Sequence, residues 1–219
     1  METFFVFKVS NLLLPPNLEI MKEKIISKSC EMFLKLGSKS ITMDDIANEM
    51  SISKKTIYKF FANKEVLIAE ATKTVHDTVH QTLNEVRRMG LNAIEENFEV
   101  RKVIKGIFQA ADNSPLFQLK KHYPEIYSEV VKREQDECHY FLRENILNGI
   151  DSGYYRKEID IDTVIRFYNT LIFNINETVA LEKEAQALEL EALVYHTRAI
   201  STLKGIAELE KQLSIIDQP

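Results

Sequence analysis

Lysines alternate with aromatic residues in one short stretch, residues 51–67, which reads SISKKTIYKFFANKEVL. If Lys54 to Phe61 is wound as a helix at about 100° per residue, Ile57, Phe60 and Phe61 fall on one arc and the lysines on the opposite arc. Lysine ammonium groups on an exposed helix can contact DNA phosphates or guanine edges. The stretch therefore predicts a short helix that is anchored on its aromatic side and presents positive charge to a nucleic acid.

Local capping signals make this helix the second half of a helix-turn-helix. Residues 42–45 read TMDD, a capping-box pattern that predicts a short helix ending near Met50. After a turn, Ser53 can cap the basic helix at 54–60. Two short helices joined by a tight turn, with the second one basic on its outer side, are typical of proteins whose second helix enters the major groove.

Charge is unevenly distributed along the 219 residues. Residues 21–64 contain nine lysines and five acidic residues, a net charge of +4, whereas the whole chain carries −5 and the rest of it therefore −9. The acidic total argues against a surface that coats a polyanion throughout, but it permits a local basic region. The difference in sign predicts a nucleic-acid-facing end and a body with another task.

Almost every segment has the 3.6-residue period of a helix, and glycine (6) and proline (5) are scarce. We therefore predict an all-α fold. About nine helices are expected, at residues 18–36, 42–50, 54–60, 64–89, 92–112, 115–122, 124–150, 161–182 and 185–213. Asn63 is the expected cap of the long fourth helix, and Gly37 ends the first.

The 47-residue run that begins at Ile25, IISKSCEMFLKLGSKSITMDDIANEMSISKKTIYKFFANKEVLIAEA, resembles the TetR-type bacterial transcriptional regulators. The positions that match the family pattern in order and spacing are Phe33, Gly37, Thr42, Ile46, Ala47, Ser53, Thr56, Tyr58, Phe61, Lys64, Glu65 and Leu67. Ser29, Ser51 and Lys55 depart from it, because relatives usually have alanine, glycine and a small residue there. Lys55 adds charge at the groove and can alter operator preference.

The resemblance implies a DNA-binding transcriptional regulator with three parts. These are a weakly ordered N-terminal extension (1–20), a helix-turn-helix domain (21–68) and a helical effector-binding and dimerisation domain (69–219). A palindromic operator in double-stranded DNA is the implied partner. The candidate DNA-binding residues are Thr42, Ser53, Lys54, Lys55, Thr56, Tyr58, Lys59 and Lys64. Five of them match positions that contact DNA in relatives, and Ser53 is expected to act first as a helix cap.

Relatives enclose a small-molecule effector among their middle helices, so the resemblance implies a repressor that such a molecule releases from DNA. The candidate effector-binding residues are Val79, Leu83, Phe108, His122, Tyr127, His139, Asn169 and Phe173. They combine apolar wall positions with polar groups that can orient a ligand. A regulator of the same fold without an effector is the alternative.

The last two predicted helices carry long apolar stripes, and the resemblance favours a homodimer in which they form a four-helix interface. One stripe comprises Val164, Phe167, Tyr168, Leu171, Ile172 and Ile175. The other comprises Leu190, Leu193, Val194, Ile200, Leu203 and Ile206.

His76 and His80 lie one helical turn apart, a spacing similar to that of the zinc-binding pair on a metalloprotease helix. That motif needs a glutamate beside the first histidine, where this chain has Asp77, and a third ligand further on. We therefore expect histidines of a surface or a pocket wall, and neither a metal nor a cofactor. The sequence has no nucleophile–base arrangement and no phosphate-binding glycine loop. A helical enzyme or interaction module is accordingly the weaker hypothesis.

The remaining signals concern location. Cys30 and Cys138 lie in apolar helical contexts and are expected to be buried reduced thiols. No run of about 18 apolar residues is present, and the apolar start lacks the basic region and cleavage site of a signal peptide. A bacterial cytoplasmic protein is expected, with either Met1 or Met21 as its natural start.

Overall fold

The computed structural model describes residues 16–216, which form ten helices. They are α1 (Pro16–Leu36), α2 (Met43–Glu49), α3 (Lys54–Tyr58), α4 (Lys64–Arg87), α5 (Ala93–Phe108), α6 (Pro115–His122), α7 (Pro124–Asp151), α8 (Ile161–Thr178), α9 (Glu182–Ile200) and α10 (Leu203–Ile216). This confirms the predicted all-α fold with a helix-turn-helix at its N-terminal end, although with ten helices rather than about nine. None of the described helices combines the length and the hydropathy that a membrane span requires.

The first helix begins earlier than predicted. Residues 16–20 belong to α1, so this part of the predicted N-terminal extension is helical. Residues 1–15, the rest of that extension, lie outside the described residues.

The head consists of α1 to α3 and the first turns of α4, and its short helices are held by side-chain caps. The Thr42 side chain accepts a hydrogen bond from the Asp45 amide at 3.1 Å, and the Asp45 carboxylate accepts one from the Thr42 amide at 2.8 Å. The Ser53 hydroxyl accepts from the Thr56 amide at 3.1 Å, and Asn63 accepts from the amide of Val66 at 2.9 Å. All three predicted caps are thus confirmed.

The turn between α2 and α3 contains Ser51, whose φ of 54° lies in the left-handed region. That conformation favours glycine, the residue that relatives usually have there, because a Cβ atom crowds the backbone. Below the turn, Ile46, Ile57, Phe61 and Leu67 meet in the core of the head and are fully buried. The turn itself is held by hydrogen bonds from the Ser51 amide to the Asn48 carbonyl at 3.0 Å and from the Ile52 amide to the Ala47 carbonyl at 2.9 Å.

The body is built around a second core that α5, α7, α8, α9 and α10 share. Its most deeply buried side chains include Ile94, Ile146, Ile165 and Leu209. A polar group lies inside this core: the Asn145 amide donates to the Ala93 carbonyl and to the Glu96 carboxylate, both at 2.8 Å. The Asn97 amide donates to the Asn145 oxygen at 3.0 Å and to the Tyr155 hydroxyl at 3.2 Å, which completes the network. Buried polar groups with partners of this kind fix the register of the helices that carry them.

The predicted helix at 185–213 is wrong, because the chain breaks at Ser201 and Thr202 to form α9 and α10. Ser201 adopts extended backbone angles and pairs with Tyr155 in an isolated β-bridge. The Thr202 amide donates to the Tyr154 carbonyl at 2.9 Å, and the Thr202 hydroxyl donates to the Gly153 carbonyl at 2.8 Å. The Ser201 amide still donates to the Thr197 carbonyl at 3.0 Å, so it is the Thr202 amide whose helical bond is replaced by a bond to the loop after α7.

Two other predicted helices are too long for a similar reason. The helix predicted at 161–182 ends at Thr178, and the one predicted at 92–112 ends at Phe108. The segments beyond them meet: the Ser114 amide donates to the Ala180 carbonyl at 2.9 Å, and the Glu182 amide donates to the Asp112 carbonyl at 3.1 Å. Pairing between distant segments therefore ends both helices.

Close packing of α7 on the following loop requires a glycine at position 149. A Cβ atom there would lie 2.1 Å from Cδ2 of the buried Tyr155 ring. We expect Gly149→Ala to lower the free energy of unfolding by about 1–3 kcal/mol, the typical effect of overpacking a core. Chemical denaturation followed by circular dichroism measures this.

Gly106→Ala is the matched control for that substitution. Gly106 lies in α5, and a Cβ atom there would meet nothing within 4 Å. Alanine should therefore raise the stability by about 0.5–1 kcal/mol, because it favours a helix over glycine. Equal effects of the two substitutions would contradict this account of the packing.

Candidate DNA-binding surface and enclosed cavity

The recognition face consists of the solvent side of α3. Lys54, Lys55, Tyr58 and Lys59 are exposed, whereas Ile57 is fully buried beneath them. Phe61 is also 0% exposed and packs in the head core with the half-buried Phe60. The phenylalanines of the lysine-rich stretch therefore pack, and its lysines face solvent.

The lysines of α3 differ in what they contact. The Lys54 ammonium forms an ion pair of 2.8 Å with Asp44 and lies 6.0 Å from the centroid of the Tyr58 ring. Neither Lys55 nor Lys59 has a hydrogen-bond or ion-pair partner within residues 16–216. Lys55 and Lys59 therefore carry charge without a partner in residues 16–216, whereas the charge of Lys54 is compensated by Asp44.

The hydroxyls at the helix starts already have local partners. The Thr42 hydroxyl donates to the Asp45 carboxylate at 2.7 Å, and this donation holds the pKa of Asp45 below its usual range. The hydroxyls of Ser53 and Thr56 share a hydrogen bond of 2.8 Å. Thr42 and Ser53 thus orient α2 and α3, and both remain exposed on the side that carries the lysines.

Lys64 lies apart from the recognition face, at the junction between the head and α6. Its ammonium donates to the Lys39 carbonyl at 3.2 Å and lies 6.0 Å from the centroid of the Tyr123 ring. Burial, followed by the charge of Lys39, lowers the pKa of Lys64 below its ordinary value. The Tyr123 hydroxyl in turn donates to the Ser38 carbonyl at 3.5 Å. The predicted phosphate contact is therefore a residue that also joins the head to the body, a role its sequence position did not reveal.

A cavity of about 340 Å³ lies between α1 and the helices α4 to α9. Most of its wall is apolar, and α4 contributes Val75, Val79 and Leu83 to it. Five of the eight predicted effector-binding residues line the cavity: Val79, Leu83, Phe108, Asn169 and Phe173. The volume and the apolar wall are those of a small-molecule site.

The other three predicted effector-binding residues do not line the cavity. The Tyr127 hydroxyl donates to Glu177, which is also paired with Lys120. His139 is exposed and lies 3.6 Å from Asp162, and His122 ends α6. None of these three side chains faces the cavity, and their positions depend on how α6 and α7 pack, which the sequence did not indicate.

One region of the cavity wall carries polar groups that the sequence reasoning missed. Arg101 donates to the Gln186 carbonyl at 3.2 Å, while its Nε is buried without a partner among the described residues. The Glu189 carboxylate accepts from Asn176 at 2.6 Å, and burial raises the pKa of both Glu189 and Glu182. The signal was present: Arg101 interrupts the apolar stripe of α5 between Ile94 and Ile104. These groups can orient a bound molecule in an otherwise apolar space.

A second polar group in the cavity wall joins α4 to α7. His76 Nδ1 lies 2.6 Å from a carboxylate oxygen of Glu134, and the rings of His76 and His80 are tilted by 44° with centroids 4.2 Å apart. Glu134 raises the pKa of His80, although partial burial opposes this shift. His76 and Glu134 both line the cavity.

Some residues of the two predicted apolar stripes are buried within the protomer, and others are exposed. Leu193 and Ile200 are buried within the protomer. Phe167 and Leu171, one turn apart on α8, are 65% and 40% exposed, and Tyr195 on α9 is 69% exposed. The exposed apolar face therefore consists of Phe167 and Leu171 on α8 with Leu188 and Tyr195 on α9. Neither Leu188 nor Tyr195 belongs to the stripe that was predicted for α9.

Together, a capped helix-turn-helix with a lysine-bearing second helix and a larger all-α body with a cavity are the features of a DNA-binding regulator. The family model described as "Bacterial regulatory proteins, tetR family" matches residues 25–71. The head of the chain thus carries the DNA-binding sequence pattern of that family, and the relatives of the chain are transcriptional regulators. The chain is a DNA-binding transcriptional regulator.

Individual relatives agree with this assignment. The uncharacterised HTH-type transcriptional regulator YhgD of Bacillus subtilis strain 168 is 28% identical over 182 residues, 79% of this chain and 94% of that protein. The HTH-type transcriptional repressor KstR2 of Mycobacterium tuberculosis is 25% identical over 158 residues, 66% of this chain and 74% of that protein. A transcriptional regulator from Cytophaga hutchinsonii shares the fold, with a TM-score of 0.66 and 17% identity over 82% of this chain and 98% of that one.

Proposed function

We propose that this chain is a homodimeric bacterial repressor that binds a palindromic operator through α3 and is released by a small-molecule effector in the cavity. The observation that carries the proposal is the recognition face, where unpaired lysines stand on a helix whose opposite side is locked into the head core. Residues 21–68 are the proposed DNA-binding domain, and residues 69–219 the effector-binding and dimerisation domain. Its proposed location is the bacterial cytoplasm, and it has no proposed enzymatic activity, since its relatives are named as transcriptional regulators.

The recognition face supports both kinds of DNA contact. Lys55 and Lys59 stand on the solvent side of α3, where a helix in the major groove places side chains against base edges. The exposed Tyr58 hydroxyl and the capping hydroxyl of Thr42 are placed to donate to phosphates. Lys54 can bind a phosphate when it releases its exposed ion pair with Asp44. Exposed ion pairs contribute little to stability.

The exposed face of α8 and α9 supports assembly into a dimer. Large apolar side chains such as Phe167 and Tyr195 are rarely left so exposed unless a partner covers them. A two-fold axis through this face would pair each helix with its copy and give one self-complementary interface. Two linked heads then bind two half-sites with a raised effective concentration.

The position of the cavity supports release by an effector. One face of α4 contributes to the cavity wall at Val75, Val79 and Leu83, and the first turns of the same helix pack in the head core through Leu67. A ligand that binds the DNA-incompetent arrangement more tightly shifts the population away from DNA. Half-sites lie about 34 Å apart, so a displacement of a few ångströms between the heads misaligns one recognition helix.

The recognition face gives the first functional prediction. Lys55→Ala should weaken operator binding by about 1–3 kcal/mol and change which bases are preferred at the contacted position. Tyr58→Phe should weaken binding across all sequences, because it removes a phosphate donor. Fluorescence anisotropy with an operator selected from random DNA, repeated over a range of salt concentrations, measures both effects.

Lys132→Ala is the matched control, since it removes one exposed lysine from α7 in the body. Its affinity should stay within about twofold of the parent, because a distant exposed charge is screened. If Lys55→Ala behaves like Lys132→Ala at every salt concentration, Lys55 does not contact DNA.

The dimer interface gives a separate prediction. Leu171→Glu should place an unpaired charge in the proposed interface, so sedimentation velocity should show helical monomers that bind the operator poorly. Met89→Glu changes another exposed apolar residue, two positions after the end of α4, and should leave the dimer intact. A dimeric Leu171→Glu variant would place the interface on another face.

The cavity gives the third functional prediction. Val79→Phe should occupy part of the cavity, mimic a bound effector and lower operator affinity at least about fivefold, the low end of typical allosteric couplings. Leu147→Phe, at an exposed position of α7 outside the cavity, should leave operator affinity unchanged. Unchanged affinity in Val79→Phe, together with no response to a panel of apolar and aromatic compounds, would favour the regulator without an effector.

A further inference from the structure

Three side chains with metal-binding chemistry converge between α4 and α7, and two of them, His76 and Glu134, line the cavity. His76 and His80 lie on one face of α4, and Glu134 faces them from α7. Within residues 16–216 these three form the one group of histidine, cysteine, aspartate or glutamate residues whose ligand atoms all lie within 4.8 Å of one another. The third ligand candidate comes from a different helix, which is why the spacing on α4 alone did not indicate a site.

The distances fit a small coordination sphere. His76 Nδ1 lies 2.6 Å from Glu134 Oε1, and His80 Nε2 lies 3.6 Å from Glu134 Oε2. Ligand atoms about 2.1 Å from a tetrahedral zinc ion lie about 3.4 Å from one another. The distance from His80 Nε2 to Glu134 Oε2 is close to this value, whereas that from His76 Nδ1 to Glu134 Oε1 is about 0.8 Å shorter.

An independent observation points to a missing ligand at this place. His80 Nε2 is buried and has no hydrogen-bond partner among the described residues, since 3.6 Å to Glu134 exceeds a hydrogen bond. Buried polar atoms are nearly always satisfied, and one that is not calls for a bound group. The orphaned nitrogen points towards the same carboxylate that binds His76, so a single ion between them would satisfy all three side chains.

The donor set selects the kind of ion. Two imidazoles with one carboxylate are typical of catalytic and regulatory sites for zinc and neighbouring first-row metals, whereas calcium and magnesium prefer oxygen ligands throughout. Three protein ligands leave a further position for water or for an oxygen donor in the cavity, whose wall includes His76 and Glu134.

We propose that His76, His80 and Glu134 bind one divalent transition-metal ion per protomer, such as Zn²⁺, between α4 and α7. The proposal does not depend on DNA binding or on an effector, because it rests on the donor geometry alone. A metal ion here would join the helix that leads to the head to the longest helix of the body.

The test uses the full-length chain without an affinity tag, treated with a chelator and dialysed. Titration with Co²⁺ should produce the intense visible absorption of a tetrahedral site at one ion per protomer, and Zn²⁺ should displace it. Glu134→Gln and His80→Asn should each weaken metal binding by about 100-fold or more. That loss is larger than the one expected when a residue that only hydrogen-bonds to a metal ligand is removed. His139→Asn, which removes an exposed histidine outside the cavity, should bind as the parent does.

A second readout separates loss of the site from loss of the fold. Zn²⁺ should raise the melting temperature of the parent and of His139→Asn, because it binds the folded state, but not that of Glu134→Gln. Glutamine has the same shape as glutamate, so the metal-free melting temperature of that variant should stay close to that of the parent. The proposal would be overturned if the parent showed no saturable Co²⁺ binding, or if Glu134→Gln and His80→Asn bound Co²⁺ as tightly as the parent; either result would leave the DNA-binding function untouched.

Discussion

The rest of the structure depends on the burial of one helix at both ends, because α4 packs in the head core with its first turns and against α5 and α7 with its last. The first turns of α4 place Leu67, Ile68 and Ala71 in the buried interior next to α1, and its later turns place Leu83 and Val86 in the body. The helix has 24 residues and is therefore about 36 Å long. Because both ends are anchored by packing, α4 cannot shift at the cavity without moving against the head.

In addition to α4, a second contact joins the head to the body. Lys64 at the start of α4 lies over Tyr123, and Tyr123 reaches the Ser38 carbonyl in the loop after α1. The α6 helix, which lies beside the cavity through Leu116 and Leu119, ends next to this junction. Movement of the cavity wall can therefore reach the head by two routes, through α4 directly and through α6 onto Lys64. Both routes follow contacts between packed residues, as energetic coupling requires.

The sequence predicted the head well because its determinants are local. Thr42, Ser53 and Asn63 each cap a helix through an amide two or three residues away, so a short window contains the whole signal. The helix starts that they predict agree with the structure to within one residue. The inward position of Ile57 and Phe61 follows equally from helical spacing alone.

The body was harder because its determinants are distant in sequence. The break between α9 and α10 depends on bonds from Thr202 to Gly153 and Tyr154, about fifty residues away, and no local signal marks it. The cavity gathers residues from seven helices, so Arg101 and Glu189 converge only once the chain has folded. His122, Tyr127 and His139 were chosen as polar residues near apolar ones, but their helices turn them away from the cavity. A charged residue inside an apolar stripe, as at Arg101 and Glu134, indicated a position in the cavity wall better than these three residues did.

The central claim is that two copies of α3, linked by the α8–α9 face, bind the two halves of one DNA site. Selection of duplexes from a random pool by the full-length protein, followed by hydroxyl-radical footprinting of the enriched sequence, tests it most directly. We predict an inverted repeat whose half-sites lie about one helical turn apart, with protection symmetric about the dyad. Enrichment of sequences without dyad symmetry, or no enrichment over the starting pool, would contradict the claim.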